Sequence, residues 1–246
     1  MRAQLDSLSI DRAVLVGHSV AGDELTEFAA RYPERVAGLV YLDAAYDRSH
    51  TMRRLLTMAV LRQLPPSPPR PHGDDRESAA AARDYLERIY GVRWPASEIA
   101  ATRVFDKAGR WKGDASSASM NSKIIQGESA PCYEAVHAPV LAIYTVDRPE
   151  SRDFPWIAHM TIGRGVEQLK ARRYRSAQSH WEEGQRRDFA KALPSARVVE
   201  LRGASHYLFL SDGERVEREM REFLEALGAA DLKAMTQAGE NRPRPR

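Results

Sequence analysis

Apolar residues recur along this chain at two spacings, and the alternation between them outlines its elements. Residues 2–9 read as the last turns of a helix. Ala13-Val14-Leu15-Val16 is then a short unbroken apolar run, the pattern of a strand buried on both faces. It stops at Gly17. From Val20 to Tyr32 the apolar positions Ala21, Leu25, Phe28 and Ala29 follow helical spacing, and Pro33 marks the end. Val36–Leu42 is a second unbroken run. Two strands joined by a helix of about a dozen residues predict a βαβ unit, hence parallel pairing.

Residues 47–135 differ in character. Helical spacing predicts three helices near 49–63, 75–90 and 96–110, with the proline-rich joint "PPSPPRPHGDD" after the first and no strand among them. Strand patterning returns at Val140–Val146, helices are expected over 153–192, and Ala196–Leu201 reads as the last strand. Beyond it, Val216, Met220, Phe223, Leu224 and Leu227 share one helical face. The polar, proline-rich end, 231–246, is expected to be disordered.

Composition narrows the function classes. The chain has 246 residues, enough for one large α/β domain with an insertion. Its 37 Lys and Arg against 34 Asp and Glu leave +3, too little to argue for nucleic acid. One cysteine, Cys132, excludes an internal disulfide. No apolar run approaches a membrane span, and the N-terminus lacks the apolar stretch of a signal peptide. A cytoplasmic protein without membrane or nucleic-acid partners is the expectation. No His, Cys, Asp and Glu cluster has metal-ligand spacing, and no glycine loop for phosphate is present, so no metal or cofactor is implied.

The chemistry concentrates at Gly17-His18-Ser19-Val20-Ala21-Gly22, between the first strand and its helix. A sharp strand-to-helix turn lifts a serine hydroxyl above a sheet and needs small residues two before and two after it. Gly17 and Ala21 meet that need. The turn also aims a helix N-terminus at the serine, so the Val20 N–H becomes an oxyanion donor. A serine needs a base oriented by an acid. His206, in the small-residue loop after the last strand, sits at the same sheet edge and is the candidate base. His18 points away from the serine and is expected to line the pocket. His50, His72, His137, His159 and His180 lack such context. Two carboxylates end strands at that edge: Asp147, the first choice as acid, and Asp43, the alternative.

"LVGHSVAGDELTEFAARYPERVAGLVYLDAA", "APVLAIYTVD" and "ARVVELRGASHYLFLSDGERVEREMREFL" together resemble the nucleophile turn, acid-bearing strand and histidine loop of the α/β-hydrolase superfamily, in its lid-bearing, esterase-like members. The resemblance implies an α/β fold with a mostly parallel sheet of about four strands, flanking helices and a helical lid. It divides the chain into hydrolase core (1–46 and 136–230), lid (47–135) and tail (231–246). It implies hydrolysis of a small-molecule carboxylic ester through an acyl-Ser19 intermediate. Met52, Leu55, Leu56, Met58, Trp94, Phe105 and Trp111 are the lid's candidate pocket or packing residues. Tyr144-Thr145-Val146-Asp147 is about one residue tighter than the family's acid loop, which keeps Asp43 open as the acid. Family members carry several elements before the serine turn, whereas 18 residues precede Ser19 here. The expectation is a truncated fold whose Ala13–Val16 edge is exposed to pairing between copies.

Overall fold

The computed structural model describes residues 1–51, 53–54, 57, 64, 66–116, 123–124 and 126–240, with side chains up to residue 229. Its sheet is built from β1 (Ala13–His18), β2 (Val36–Leu42), β5 (Val140–Val146) and β6 (Arg197–Arg202), all parallel, in the order β1-β2-β5-β6. The central strands β2 and β5 carry the longest apolar runs and are buried almost throughout. β1 lies at an edge, so Val16 is 46% exposed. The apolar run by itself predicts a strand buried on both faces; the edge position is the one the resemblance implies, and a strand with one neighbour has less to cover it.

Side chains of a strand alternate between faces, and the two faces fill two cores. Leu39 and Tyr41 of β2 and Ala142 and Tyr144 of β5 pack with Leu25, Phe28 and Ala29 of helix α2 (Ala21–Arg31) and with Phe189. Val40, Leu42, Leu141 and Ile143 pack on the other face with Leu208, Val216 and Phe223. The short helix α1 (Arg2–Ser7) adds Leu5 to the first core. Side chains of this size stabilise by about 1.5–3 kcal/mol each when fully buried, so the helices are held on the sheet from both sides.

Of the segment between β2 and β5, helices α3 (Ala79–Tyr90) and α4 (Ala96–Thr102) are present. Ser78 caps α3 by accepting from the Ala81 N–H, and Gly91, at φ 65°, ends it. The expected helix over 96–110 is only partly formed. A hairpin of β3 (Arg103–Phe105) and β4 (Trp111–Asp114) replaces its second half. The cause is local: Asp106 Oδ1 accepts from the Ala108 and Arg110 N–H groups, and Gly109 takes φ 78°, a turn that competes with helix. Most of the helix expected over 49–63, including Met52, Leu55, Leu56 and Met58, lies outside the described residues.

This inserted segment has its own core, in which Tyr85, Leu86, Ile89, Ile99 and Trp111 meet Phe154, Trp156, Ile157 and Ala171. Residues beyond 135 therefore complete it, and a boundary at 135 does not separate two packed units. Short helix α5 (Glu150–Asp153) leads to α6 (Arg164–Ala192), which is about 43 Å long at 1.5 Å per residue. Ala171 of α6 packs in the insert core and Phe189 in the sheet core. After β6 come α7 (Leu208–Ser211) and α8 (Gly213–Glu240). On α8 Val216 and Phe223 are buried and Leu224 is 46% exposed, so the apolar face is narrower than its spacing suggests. The helix also continues ten residues past the expected start of the tail at 231. Among the described residues no helix is long and apolar enough to cross a membrane.

Candidate active site

Ser19 is the first residue after β1 and has φ 55°, a conformation that non-glycine residues hold only when their surroundings impose it. Its N–H donates to the Leu42 carbonyl at 3.2 Å, and its own carbonyl accepts from the Gly22 N–H at 3.0 Å. A side chain at Gly17 would come within 2.8 Å of Leu25 Cδ1, and one at Gly22 within 2.2 Å of the Ala44 carbonyl oxygen. Gly22 is thus the more demanding position: there α2 passes directly against the loop that follows β2.

All four parallel strands are followed by a residue of positive φ: Ser19, Asp43 at 47°, Asp147 at 50° and Gly203 at 71°. The Asp43 N–H reaches the Ile143 carbonyl at 2.7 Å, and the Gly203 N–H reaches that of Val146 at 2.8 Å. The carboxyl ends of the strands, where such sheets bind ligands, therefore make one connected rim.

The structure separates the two candidate acids. Leu42 is level with Ile143 in the register, so Asp43 stands level with Tyr144 and Asp147 lies three residues further on, about 10 Å at strand rise. The first choice of Asp147 is corrected by this overhang. Asp147 is on the surface, paired with Arg202, in a groove that contains neither Ser19 nor His206. Asp43 is 1% exposed, and its Oδ2 lies 2.7 Å from His206 Nδ1.

Four further donors hold Asp43. Oδ1 accepts from the Tyr46 hydroxyl at 2.6 Å and the Thr145 N–H at 3.2 Å, and Oδ2 from the Thr145 hydroxyl at 3.0 Å and Arg148 Nη1 at 2.8 Å. Burial pushes the Asp43 carboxyl up. The hydrogen bond and charge of His206, the Arg148 guanidinium and the Tyr46 hydroxyl outweigh it and hold the group well below the usual carboxylate range. Arg148 also meets Glu182 at 2.8 Å and Asp153 at 3.2 Å, and Arg175 meets Asp153 at 3.0 Å and Glu182 at 3.1 Å. Three carboxylates facing two guanidiniums leave one negative charge in this network when all are ionised.

His206 is supported from behind. Its carbonyl lies 2.9 Å from His18 Nε2, so that nitrogen carries the proton and donates. The His18 ring packs at 4.5 Å from His206, 5.3 Å from Tyr207 and 5.1 Å from Phe209. Burial first, then the charge of His206, pushes its pKa down to about 4. His18 is a neutral brace for the histidine loop. It is not among the residues around the cavity beside Ser19, contrary to the sequence expectation.

That cavity has a volume of about 700 Å³ and is lined by Ser19, Val20, Asp43 and His206 together. No hydrogen bond joins Ser19 Oγ to the imidazole among the described residues, a looseness common in unliganded sites. Tyr90, Phe154, Trp156, Tyr174, Trp181 and Tyr207 supply aromatic wall. Phe105 and Trp111 pack within the insert instead, and Trp94 packs edge-on against Tyr207 at 4.8 Å. The sequence reading missed Tyr46, Thr145, Arg148 and Glu182. The one signal available was the charged pair Asp147-Arg148 directly after a mostly apolar strand, which points to Arg148 alone.

No family model matches the chain. A protein of Mycobacterium phage D29, provisionally described as a non-heme haloperoxidase, is 52% identical over 46 residues, 19% of this chain and 16% of that protein. The chain thus matches well under two thirds of that relative's length. Among solved structures, an E-2-(acetamidomethylene)succinate hydrolase superposes over 91% of this chain and 70% of its own, with TM-score 0.56 and 20% identity. A probable hydrolytic enzyme of Pseudomonas aeruginosa gives TM-score 0.53 at 20% identity, covering 90% and 66%. A marine microorganism esterase gives 0.50 at 16%, covering 90% and 74%. With this sheet order, serine turn and histidine loop, the chain has the α/β-hydrolase fold.

Proposed function

We propose that the chain is a serine hydrolase that cleaves a carboxylic ester of a small, moderately apolar substrate. The observation that carries the reading is the 2.7 Å contact between His206 Nδ1 and a buried Asp43, on the rim of the cavity that Ser19 also borders. In the reaction, Ser19 Oγ attacks the ester carbonyl carbon as His206 Nε2 takes the hydroxyl proton. Asp43 holds the Nδ1–H tautomer and, with the surplus negative charge of its network, stabilises the imidazolium. The Val20 N–H donates to the oxyanion. Collapse of the tetrahedral intermediate expels the alcohol, which takes the proton from His206 and leaves acyl-Ser19. Water, deprotonated by His206, then releases the acid. The insert acts as a lid over the aromatic wall, and the open edge of β1 is a pairing surface for a second copy.

The test is labelling with a fluorophosphonate followed by intact-mass measurement. The proposal expects one adduct on the unmodified protein and none on Ser19→Ala. Equal labelling of both, or none of either at pH 8, contradicts it and favours a binding scaffold that keeps these side chains without turnover.

A further inference from the structure

Five arginines border the cavity, and their partners divide them. Arg148 and Arg175 are closed by Asp43, Asp153 and Glu182, and Arg48 is closed by Asp23 at 3.1 Å. Arg54 has no carboxylate partner among the described residues. Its Nη1 donates at 2.7 Å to the amide oxygen of Gln178, which orients the guanidinium without balancing its charge. Gln178 in turn donates to Glu182 at 3.2 Å, so a neutral amide stands between Arg54 and the nearest acid of the network. The Arg54 guanidinium lies 4.2 Å from the centroid of the Trp181 ring, and Trp181 stacks on Tyr46, whose hydroxyl holds Asp43.

A guanidinium fixed by stacking and one hydrogen bond keeps its remaining N–H donors in one plane, the arrangement that grips a carboxylate through two parallel bonds. Those donors have no acceptor among the described residues. Arg152 also borders the cavity without a carboxylate, but it is exposed and therefore screened. Among the described residues Glu128 is the cavity's carboxylate without a cation: its Oε2 is buried and unpartnered, and its charge acts on Asp23. Arg54 acts instead on Tyr174.

We infer that this site takes esters carrying a second, free carboxylate, and that Arg54, positioned by Gln178 and Trp181, binds that carboxylate. The inference rests on the hydrolase reading for the reaction but not for the binding. The probe pair is monoethyl adipate and ethyl 5-carbamoylpentanoate, which match in length and shape and differ in charge. Calorimetry on Ser19→Ala measures binding, and pH-stat turnover on the unmodified protein measures catalysis. Charge-assisted bonds at a partly enclosed site favour the acid by about tenfold or more. Arg54→Gln collapses that ratio to near one, and Arg54→Lys keeps part of it. Circular dichroism confirms that each variant is folded. Equal binding of acid and amide, or a preference that survives Arg54→Gln, overturns the inference. Preferential binding without turnover of either ester overturns the hydrolase reading and keeps the anion site; turnover without preference does the reverse.

Discussion

The ends of β2 and β5 look alike in sequence: each is a seven-residue apolar strand followed at once by an aspartate of φ near 50°. Their fates are opposite. Asp43 is buried under five hydrogen bonds and faces His206, whereas Asp147 is 64% exposed and meets, among the described residues, Arg202 alone. What separates them is register. β5 overhangs β2 by three residues, so one aspartate ends in the rim and the other beyond it. Local pattern places a carboxylate at the end of a strand; pairing between strands decides what it touches.

Substitution at the two positions is the strongest way to test that difference. Asp43→Asn leaves His206 without its anionic partner and should lower ester turnover by about 10⁴-fold, the effect expected when an oriented imidazole loses its tautomer. Asp147→Asn should leave turnover within about twofold. Rates measured side by side on one chromogenic ester decide between them. The cationic partners should differ as well. Arg148→Met strips Asp43 and Glu182 of a buried counter-charge and should cost about 3–5 kcal/mol in urea unfolding. Arg202→Met removes a surface pair and should cost under about 1 kcal/mol.

Smaller effects sharpen the picture of the rim. Gly22→Ala forces a methyl group against the Ala44 carbonyl and should destabilise by about 1–3 kcal/mol, with a matching loss of activity because Ala44 follows Asp43. The smallest effect is the pH response of Asp23, whose carboxyl burial pushes up to about 6 despite Arg48. A raised carboxyl favours the folded state at low pH, so its contribution is complete below its ordinary value of 3.8 and is lost as pH rises through about 6. Unfolding at pH 5 and pH 8 should show a decline that Asp23→Asn flattens. Asp43 acts with the opposite sign. Its contribution is present above the usual carboxylate range and is lost only when the pH falls far below it.

Much of the fold was legible because its signals are local. The apolar runs of β2 and β5, the helix between Gly22 and Pro33, and the Ser19 turn each depend on neighbours within a dozen residues. The position of His206 after the last strand was legible for the same reason. The choice between Asp43 and Asp147 was not, because register is a long-range property. The hairpin over 103–114 was hidden because Val104, Phe105 and Trp111 fit a helical face as well as a strand, and the turn chemistry of Asp106 and Gly109 settled the matter. Arg148 and Glu182 escaped because charged residues read as solvated surface unless the fold pairs them in its interior.

The most direct measurement is proton NMR of the His206 ring in the resting protein. An Nδ1–H donated to a buried carboxylate gives a far-downfield resonance that survives exchange with water. This signal should be present in the unmodified protein and in Asp147→Asn, and absent in Asp43→Asn and His206→Gln. A signal lost on substitution of Asp147 but retained without Asp43 would make Asp147, and not Asp43, the partner of His206.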